Sequence, residues 1–449
     1  MPLFNSSSST TGAAPTGGTT GQVLKKSSGT NYDYAWATDS TAAGSDTNMK
    51  SVVADYGAFA DGTSHLLSAV YGSLAAAQAV FPSATALTQE TDYVAIQKAI
   101  ASGNNLHFGY GTSYKLGTFT TTTYIAGIPS SNLVYLFENV TFTAACGSSH
   151  VTFMQFENKT NWRLKGKWTC VDSDAVEGAG GGGTYGIYPT AAGGARGFYC
   201  VQLAGTWSDV KVDDLNCVGC YYGIQSIPGS GRGIGGGEFK INATNTYYPI
   251  DLADNGDDCY ASVRATKCLR PFFLYGVRNV ILDVWVNEPS YSHVSIIKRS
   301  LRDTTGIKIR MFVRKTDSSV YARDWVSIEH QCDDAAASVI SDIDIDITYT
   351  GTVNTNTPLE AYYGLVFLRS LSAAGTTYGA YPNSDNRHTF RDIRVKGNRG
   401  TGGTAAGGSN TDFSYVIGAD FVTSTTSLTS AVTVFGPGAK NPGLVSAGG

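Results

Sequence analysis

From about residue 105 onward, apolar and polar residues alternate in short runs, as in NLHFGYGTSYKL, YLFENVTFTAA and VTFMQFENKTNWRLKGKW. A period of two is the mark of strands with one face turned to a core. From about residue 150 the runs recur in pairs. A first run begins at Phe198, Tyr222, Tyr248, Phe272 and Val294 (FYCVQL, YGIQSI, YPIDLA, FFLYG, VSIIK), at spacings of 24, 26, 24 and 22 residues. Each is followed by a second run: WSDVKVDDL, GEFKINA, YASVRATK, NVILDVWV, GIKIRMFV. The series continues as WVSIEH with VISDIDIDITY, YGLVFL with TFRDIRVKG, and YVIGADF with AVTVFG.

Periods of 20–50 residues signal a repeat architecture, and short strands without helices select a parallel β-helix or a propeller. Propeller blades need four strands in roughly 40–45 residues. These repeats are shorter and lack blade signatures. The pattern therefore predicts a parallel β-helix over 105–435, each repeat being one coil and the coils stacked at about 4.7–4.8 Å. Ile307, Ile309, Met311 and Val313 are expected to face inward, with Ile343, Ile345 and Ile347 beneath them. Lys308, Arg310, Phe312 and Arg314 then face out, as do Asp342, Asp344 and Asp346.

The earlier part reads differently. Residues 1–50 are rich in Ser, Thr, Gly and Ala around one patterned island, GQVLKKSSGTNYDYAWATD, and predict an extended head ending near residue 50. HLLSAVYGSLAAAQAVF is an Ala-rich helical stretch, and TDYVAIQKAIA suits a short amphipathic helix capped by Thr91 or Asp92. Before them lies DYGAFADGT. A calcium loop would need alternating oxygen ligands and a closing Glu, and a phosphate loop would need Gly-rich turns with Lys and Ser/Thr. Neither is present, so the stretch is a turn-rich lead-in to the first coil.

Composition narrows function by exclusion. The 449 residues include 53 Gly and 26 Tyr, only 15% are charged, and the net charge is −4. That balance gives no basic footprint for nucleic acid. No apolar run approaches the roughly 20 residues of a membrane span, and MPLFNSSSSTTG lacks the n- and h-regions of a classical export signal. The eight cysteines are too sparse for a disulfide scaffold, and the single C-x-x-C, Cys217 to Cys220, has no second pair at zinc-finger spacing. Stacking in the core is the preferred reading for each. No metal and no cofactor is expected.

DYGAFADGT, then TDYVAIQKAI, then NLHFGYGTSYKL resembles the start of the pectate-lyase-like domain of bacteriophage tailspikes, usually D-[FY]-G-A-x-G-D-G, D-x-x-A-I-Q-x-A-I, an aliphatic strand and G-x-Y. GTTGQVLKKSSGTNYDYAWA is similar to the head segment by which tail fibres and spikes join the virion. The chain departs from the pattern with Ala60 where Gly is usual, with an insertion at 64–90, and with GYG at 109–111. The resemblance implies an all-β, right-handed single-stranded parallel β-helix with a capping helix at 51–104, a virion-anchor segment at 1–50 and a short tail at 436–449. It also implies a homotrimer, attachment to other virion proteins, a place in the phage tail after assembly in the host cytoplasm, and a host capsule or lipopolysaccharide glycan that is bound and cleaved. Receptor binding without catalysis is the alternative.

Glycosidic cleavage needs two carboxyl groups, about 5–5.5 Å apart for retention or 6.5–9.5 Å for inversion. Coil stacking supplies spacings close to both. The first acidic group is DLADNGDD, with Asp251, Asp254, Asp257 and Asp258 at a turn, where Asp-Asn-Gly sequences commonly do no more than turn the chain. The second is WVSIEHQCDD, with Trp325, Glu329, His330, Asp333 and Asp334 at the equivalent turn three coils on, roughly 14 Å away. Glu288, near Trp285 and Tyr291, is a third choice. Trp285 and Arg310 on neighbouring coils suit either a groove floor for a sugar with an acidic substituent or a charge ladder on a wet face. β-Elimination would need an acidic sugar and a neutralising cation such as Arg264, Arg310 or Arg323. The Gly-rich 177–197 segment is expected to be a surface loop.

Overall fold

In the computed structural model, the described residues are 22–26, 34–38, 49–147, 149–175, 197–227, 235–254, 256–288, 293–298, 302–315, 324–331, 338–351, 366–371, 388–399, 417–421 and 432–435. The chain divides into two compact units, Met1–Met49 and Lys50–Gly449. In the first, Gln22–Lys26 and Tyr34–Thr38 pair as an antiparallel hairpin with Leu24 opposite Trp36.

In the second unit, alternation along the sequence becomes alternation between two sheets. Strands from Thr123–Gly127 to Ile417–Phe421 form a sheet of ten, here the short-strand sheet. Strands from Lys50–Ser51 to Val432–Phe435 form the long-strand sheet of thirteen. Successive strands beyond the first coil go to opposite sheets, and every neighbour within each sheet is parallel. Two stacked parallel sheets wound by one chain are a parallel β-helix.

The inner lining is as the alternation predicts. Ile307 pairs with Ile343, Ile309 with Ile345 and Met311 with Ile347, all at most 3% exposed. Each buried aliphatic side chain of this size contributes about 1.5–3 kcal/mol. Near the first coils the lining turns aromatic: Phe108 stacks on Phe137 at 4.7 Å and Phe137 on Trp168 at 4.9 Å. The seven described cysteines form no disulfide with one another and are buried in this interior.

The first-run starts do not share one row. The ladder pairs Tyr199 with Tyr222 and Tyr248, but Ile250 with Phe272 and Phe273 with Ile296. Corners of unequal length shift each run by a residue or two, which apolar spacing alone does not reveal. One column of left-handed residues runs just before or within the first residues of eight successive long strands: Asn132, Asn161, Asp209, Gly236, Asp258, Asn279, Gly306 and Asp342. Asn and Asp tolerate that conformation and bond their neighbours in adjacent coils. Asn161 Nδ2 donates to Asn132 Oδ1 at 2.8 Å, and Asn279 Nδ2 to Asp258 Oδ1 at 2.9 Å.

The lead-in folds against the helix Thr91–Ala101. Its cap is Glu90 rather than Thr91 or Asp92. Thr91 Oγ1 instead donates to the His65 carbonyl, and the buried Asp92 carboxylate accepts from the Phe59, Ala60 and Lys115 amides at 2.7, 3.1 and 3.0 Å. One side chain thus joins loop, helix and first coil. Ala60 takes the left-handed conformation that glycine would adopt freely (φ 57°). The Ala-rich stretch splits into Leu67–Val70 and Leu74–Val80 around Gly72.

Candidate functional site

The outer surface of the short-strand sheet carries aromatic rings on successive coils. His150 stacks on Tyr199 at 3.9 Å, Tyr222 on Tyr248 at 5.1 Å, and Tyr221 on Tyr247 at 4.5 Å. Tyr124 at one end and Phe273 with Tyr275 at the other extend the run. Parallel pairing places like residues one above another, so a tyrosine conserved in position from coil to coil builds a ladder by itself. Tyr199 and Tyr222 are buried yet stand apart from the interior cluster. Tyr221, Tyr247 and Tyr248 are half-buried and form the open rim.

Beside the rings runs a polar row. Gln155 pairs with Gln202, Gln202 with Gln225, and Gln225 with Asp251. Gln202 Nε2 donates to Gln225 Oε1 at 2.9 Å. Asp251 lies inside the strand Tyr248–Ala253, not at the turn expected from DLADNGDD. It is 9% exposed, and burial pushes its carboxyl up to about 7 against hydrogen bonds from Tyr222 and Gln225 that pull the other way. A carboxyl that is half protonated near neutrality is a competent proton donor. The Tyr199 hydroxyl and Gln202 Oε1 are buried close by without hydrogen-bond partners among the described residues.

The other predicted acids have different surroundings. Asp257 is paired with Arg302 at 2.7 Å and also accepts from the Arg278 amide at 2.8 Å, while Arg302 Nη1 donates to the Asp254 carbonyl. These contacts tie Asp254 and Asp257 to Arg302. Glu288 has φ +51° and belongs to a second left-handed corner column with Gly219, Asn245 and Lys267. Its amide donates to the Arg314 carbonyl at 2.9 Å, as Gly219 N does to the Thr244 carbonyl. Trp325, Glu329 and His330 fall within the strand Asp324–Gln331, again not at a turn, and their side chains lie outside the description. Asp333, Tyr291, Arg323 and residues 177–196 lie outside the described residues. Gln225–Asp251–Phe273–Ile296–Ser327 form one row, so Asp251 and the Glu329 strand are three coils apart, about 14 Å.

On the long-strand sheet the outward residues form the charge ladder. Asp283, Arg310, Asp346 and Lys396 make one column, and Lys308, Asp344 and Arg394 the next. Arg310 meets Asp283 at 2.7 Å, Lys396 meets Asp346 at 3.3 Å, and Arg394 bonds Asp344, holding that carboxyl below its usual range. Trp285 stands in the adjoining column, 38% exposed, with the Arg264 guanidinium 5.3 Å from its ring centre.

One acidic pair escaped the sequence reading. Asp172 and Asp174 are hydrogen-bonded to each other, and burial followed by that bond pushes Asp172 up to about 8. Both accept from the Cys146 amide, and Asp174 also from Gly147 at 2.6 Å. The close spacing in VDSD was the available signal. The pair fastens the preceding coil's corner.

No family model matches the chain, and no curated protein does. Among solved structures, the tailspike protein gp49 from Pseudomonas phage LKA1 is 12% identical, with a TM-score of 0.28, over 80% of this chain and 83% of its own. The Pseudomonas phage phi297 tailspike gp61 is 13% identical with a TM-score of 0.23, over 82% of both chains. The Streptococcus pneumoniae surface protein and adhesin PfbA is 10% identical with a TM-score of 0.36, over 86% of this chain and 96% of its own.

Proposed function

We propose that this chain is a receptor-binding spike of a phage tail, assembled as a homotrimer, that adheres to a host surface polysaccharide through the outer face of its short-strand sheet. The observation that supports this reading is the aromatic ladder with its half-buried rim at Tyr221, Tyr247 and Tyr248, flanked by Gln202, Gln225 and Asp251. Aromatic surface for the apolar faces of sugars, beside amides and a carboxyl for their hydroxyls, is the composition a glycan site needs. The resemblance of the first quarter of the sequence to tailspikes points the same way. Residues 1–50 are then the segment that joins the virion.

Cleavage is a second reading, favoured by one specific feature. Asp251 would protonate the leaving glycosidic oxygen, the role that a carboxyl raised to about 7 can fill. Its row, Gln155 to Ser327, holds no second carboxyl among the described residues. Incubation with capsular polysaccharide and lipopolysaccharide separates the readings: new reducing ends mean hydrolysis, new unsaturated-sugar absorbance means elimination, and binding with neither means adhesion.

A further inference from the structure

Along the long-strand sheet, the ion pairs are unevenly distributed. In the columns of Asp283 and Asp344, Arg310, Arg394 and Lys396 are each held by an aspartate. The adjoining column differs. It runs Arg264, Trp285, Phe312, Thr348, and Arg314 lies two residues beyond Phe312 on the same face. Trp285 and Phe312 are neighbours on adjacent coils, about 4.8 Å apart, and each is 38% exposed. Arg264 and Arg314 are both exposed and have no ion pair among the described residues.

We propose that Trp285, Phe312, Arg264 and Arg314 form a separate binding site for an acidic saccharide, one bearing a carboxylate such as a uronic, sialic or pyruvylated sugar. Trp285 and Phe312, left partly open beside the charge pairs and with the Arg264 guanidinium 5.3 Å from the Trp285 ring centre, suit a partially apolar partner, and the apolar face of a sugar ring supplies one. Two guanidiniums that the protein does not neutralise select the charge of that partner, since Arg donates a planar fork that matches a carboxylate. A neutral glycan would leave both cations unanswered. The site rests on the glycan-binding reading for its class of ligand but lies on the other sheet, so variants address the two separately.

The test is an immobilised array of neutral, uronate, sialylated and pyruvylated oligosaccharides, probed with the full chain at several salt concentrations. The expected result is preferential retention on acidic glycans, reduced tenfold or more in the double variants Trp285→Ala/Phe312→Ala and Arg264→Gln/Arg314→Gln. The arginine variant also loses salt sensitivity, and Tyr221→Ala/Tyr247→Ala leaves the acidic preference in place. Gel filtration and thermal unfolding of each variant match the parent. Acidic binding indifferent to both double variants, equal retention of neutral glycans, or no retention of any acidic glycan would overturn the proposal. So would a change of oligomeric state in the Trp285/Phe312 variant, which would make this face a contact between copies of the chain.

Discussion

The Asp92 carboxylate accepts the Phe59 amide at 2.7 Å across 33 residues of sequence, and with the Ala60 and Lys115 amides it ties the lead-in loop to the first coil. Asp92→Ala strands these donors and is expected to cost about 3 kcal/mol, at roughly 1–3 kcal/mol for each buried group left unmatched. Ala60→Gly relieves a left-handed alanine and is expected to gain up to about 1 kcal/mol. Denaturant unfolding of the two variants checks both signs. A loss below about 1 kcal/mol for Asp92→Ala would mean the loop holds by its apolar contacts alone.

Asp251 gives stability a defined pH dependence. Its carboxyl is raised to about 7 by burial, against an ordinary value of 3.8. The folded chain therefore keeps a proton that the unfolded chain releases, so stability falls as pH rises from about 4 to about 7 and is flat beyond for this group. The full span is at most about 4 kcal/mol at 1.36 kcal/mol for each unit. Asp251→Asn is expected to lose this slope and to be more stable than the parent at pH 8. Melting temperatures measured from pH 4 to 8 provide the comparison, and an unchanged slope in the variant would assign the proton elsewhere, with Asp172 the next group to test.

Glu288 separates a corner from a binding role. Because it sits at φ +51° in a column shared with Gly219 and Asn245, Glu288→Gly is expected to keep stability within about 1 kcal/mol. Glycan binding should be unchanged. A loss of binding with stability intact would give Glu288 a binding role as well as a corner one.

In the lining, Ile309→Ala is expected to cost 2–5 kcal/mol, the usual range for deleting three buried carbons from a core that cannot close the gap. At the corner, a Cβ on Gly235 would lie 1.8 Å from the Asp257 carbonyl oxygen, and φ there is +73°. Gly235→Ala should therefore destabilise more than its one added carbon suggests. Equilibrium unfolding of both variants measures these costs.

The interior was legible in the sequence because a two-residue period encodes direction without any knowledge of neighbours. Ile307, Ile309, Met311 and Val313 could be assigned inward, and Trp285 and Arg310 to neighbouring coils, from alternation and repeat length alone. The state of each carboxyl was not legible, because it depends on the coil below or above. Asp251 is buried, with Tyr222 and Gln225 one coil back bonding it, and Asp257 is paired with Arg302, 45 residues on. The left-handed column that claims Glu288 is visible only once strand ends are aligned. Tyr221 and Tyr247, one residue ahead of the strands that begin at Tyr222 and Tyr248, stack only once those strands are aligned, which alternation alone does not reveal.

The central claim, a glycan-binding face on the short-strand sheet, is tested most directly by biolayer interferometry of the full chain against a panel of purified capsular polysaccharides and lipopolysaccharides. The account predicts saturable binding to at least one glycan, weakened tenfold or more in Tyr221→Ala/Tyr247→Ala with its fold intact by circular dichroism. Binding to none of the panel, or binding that this double variant leaves unchanged, would contradict it.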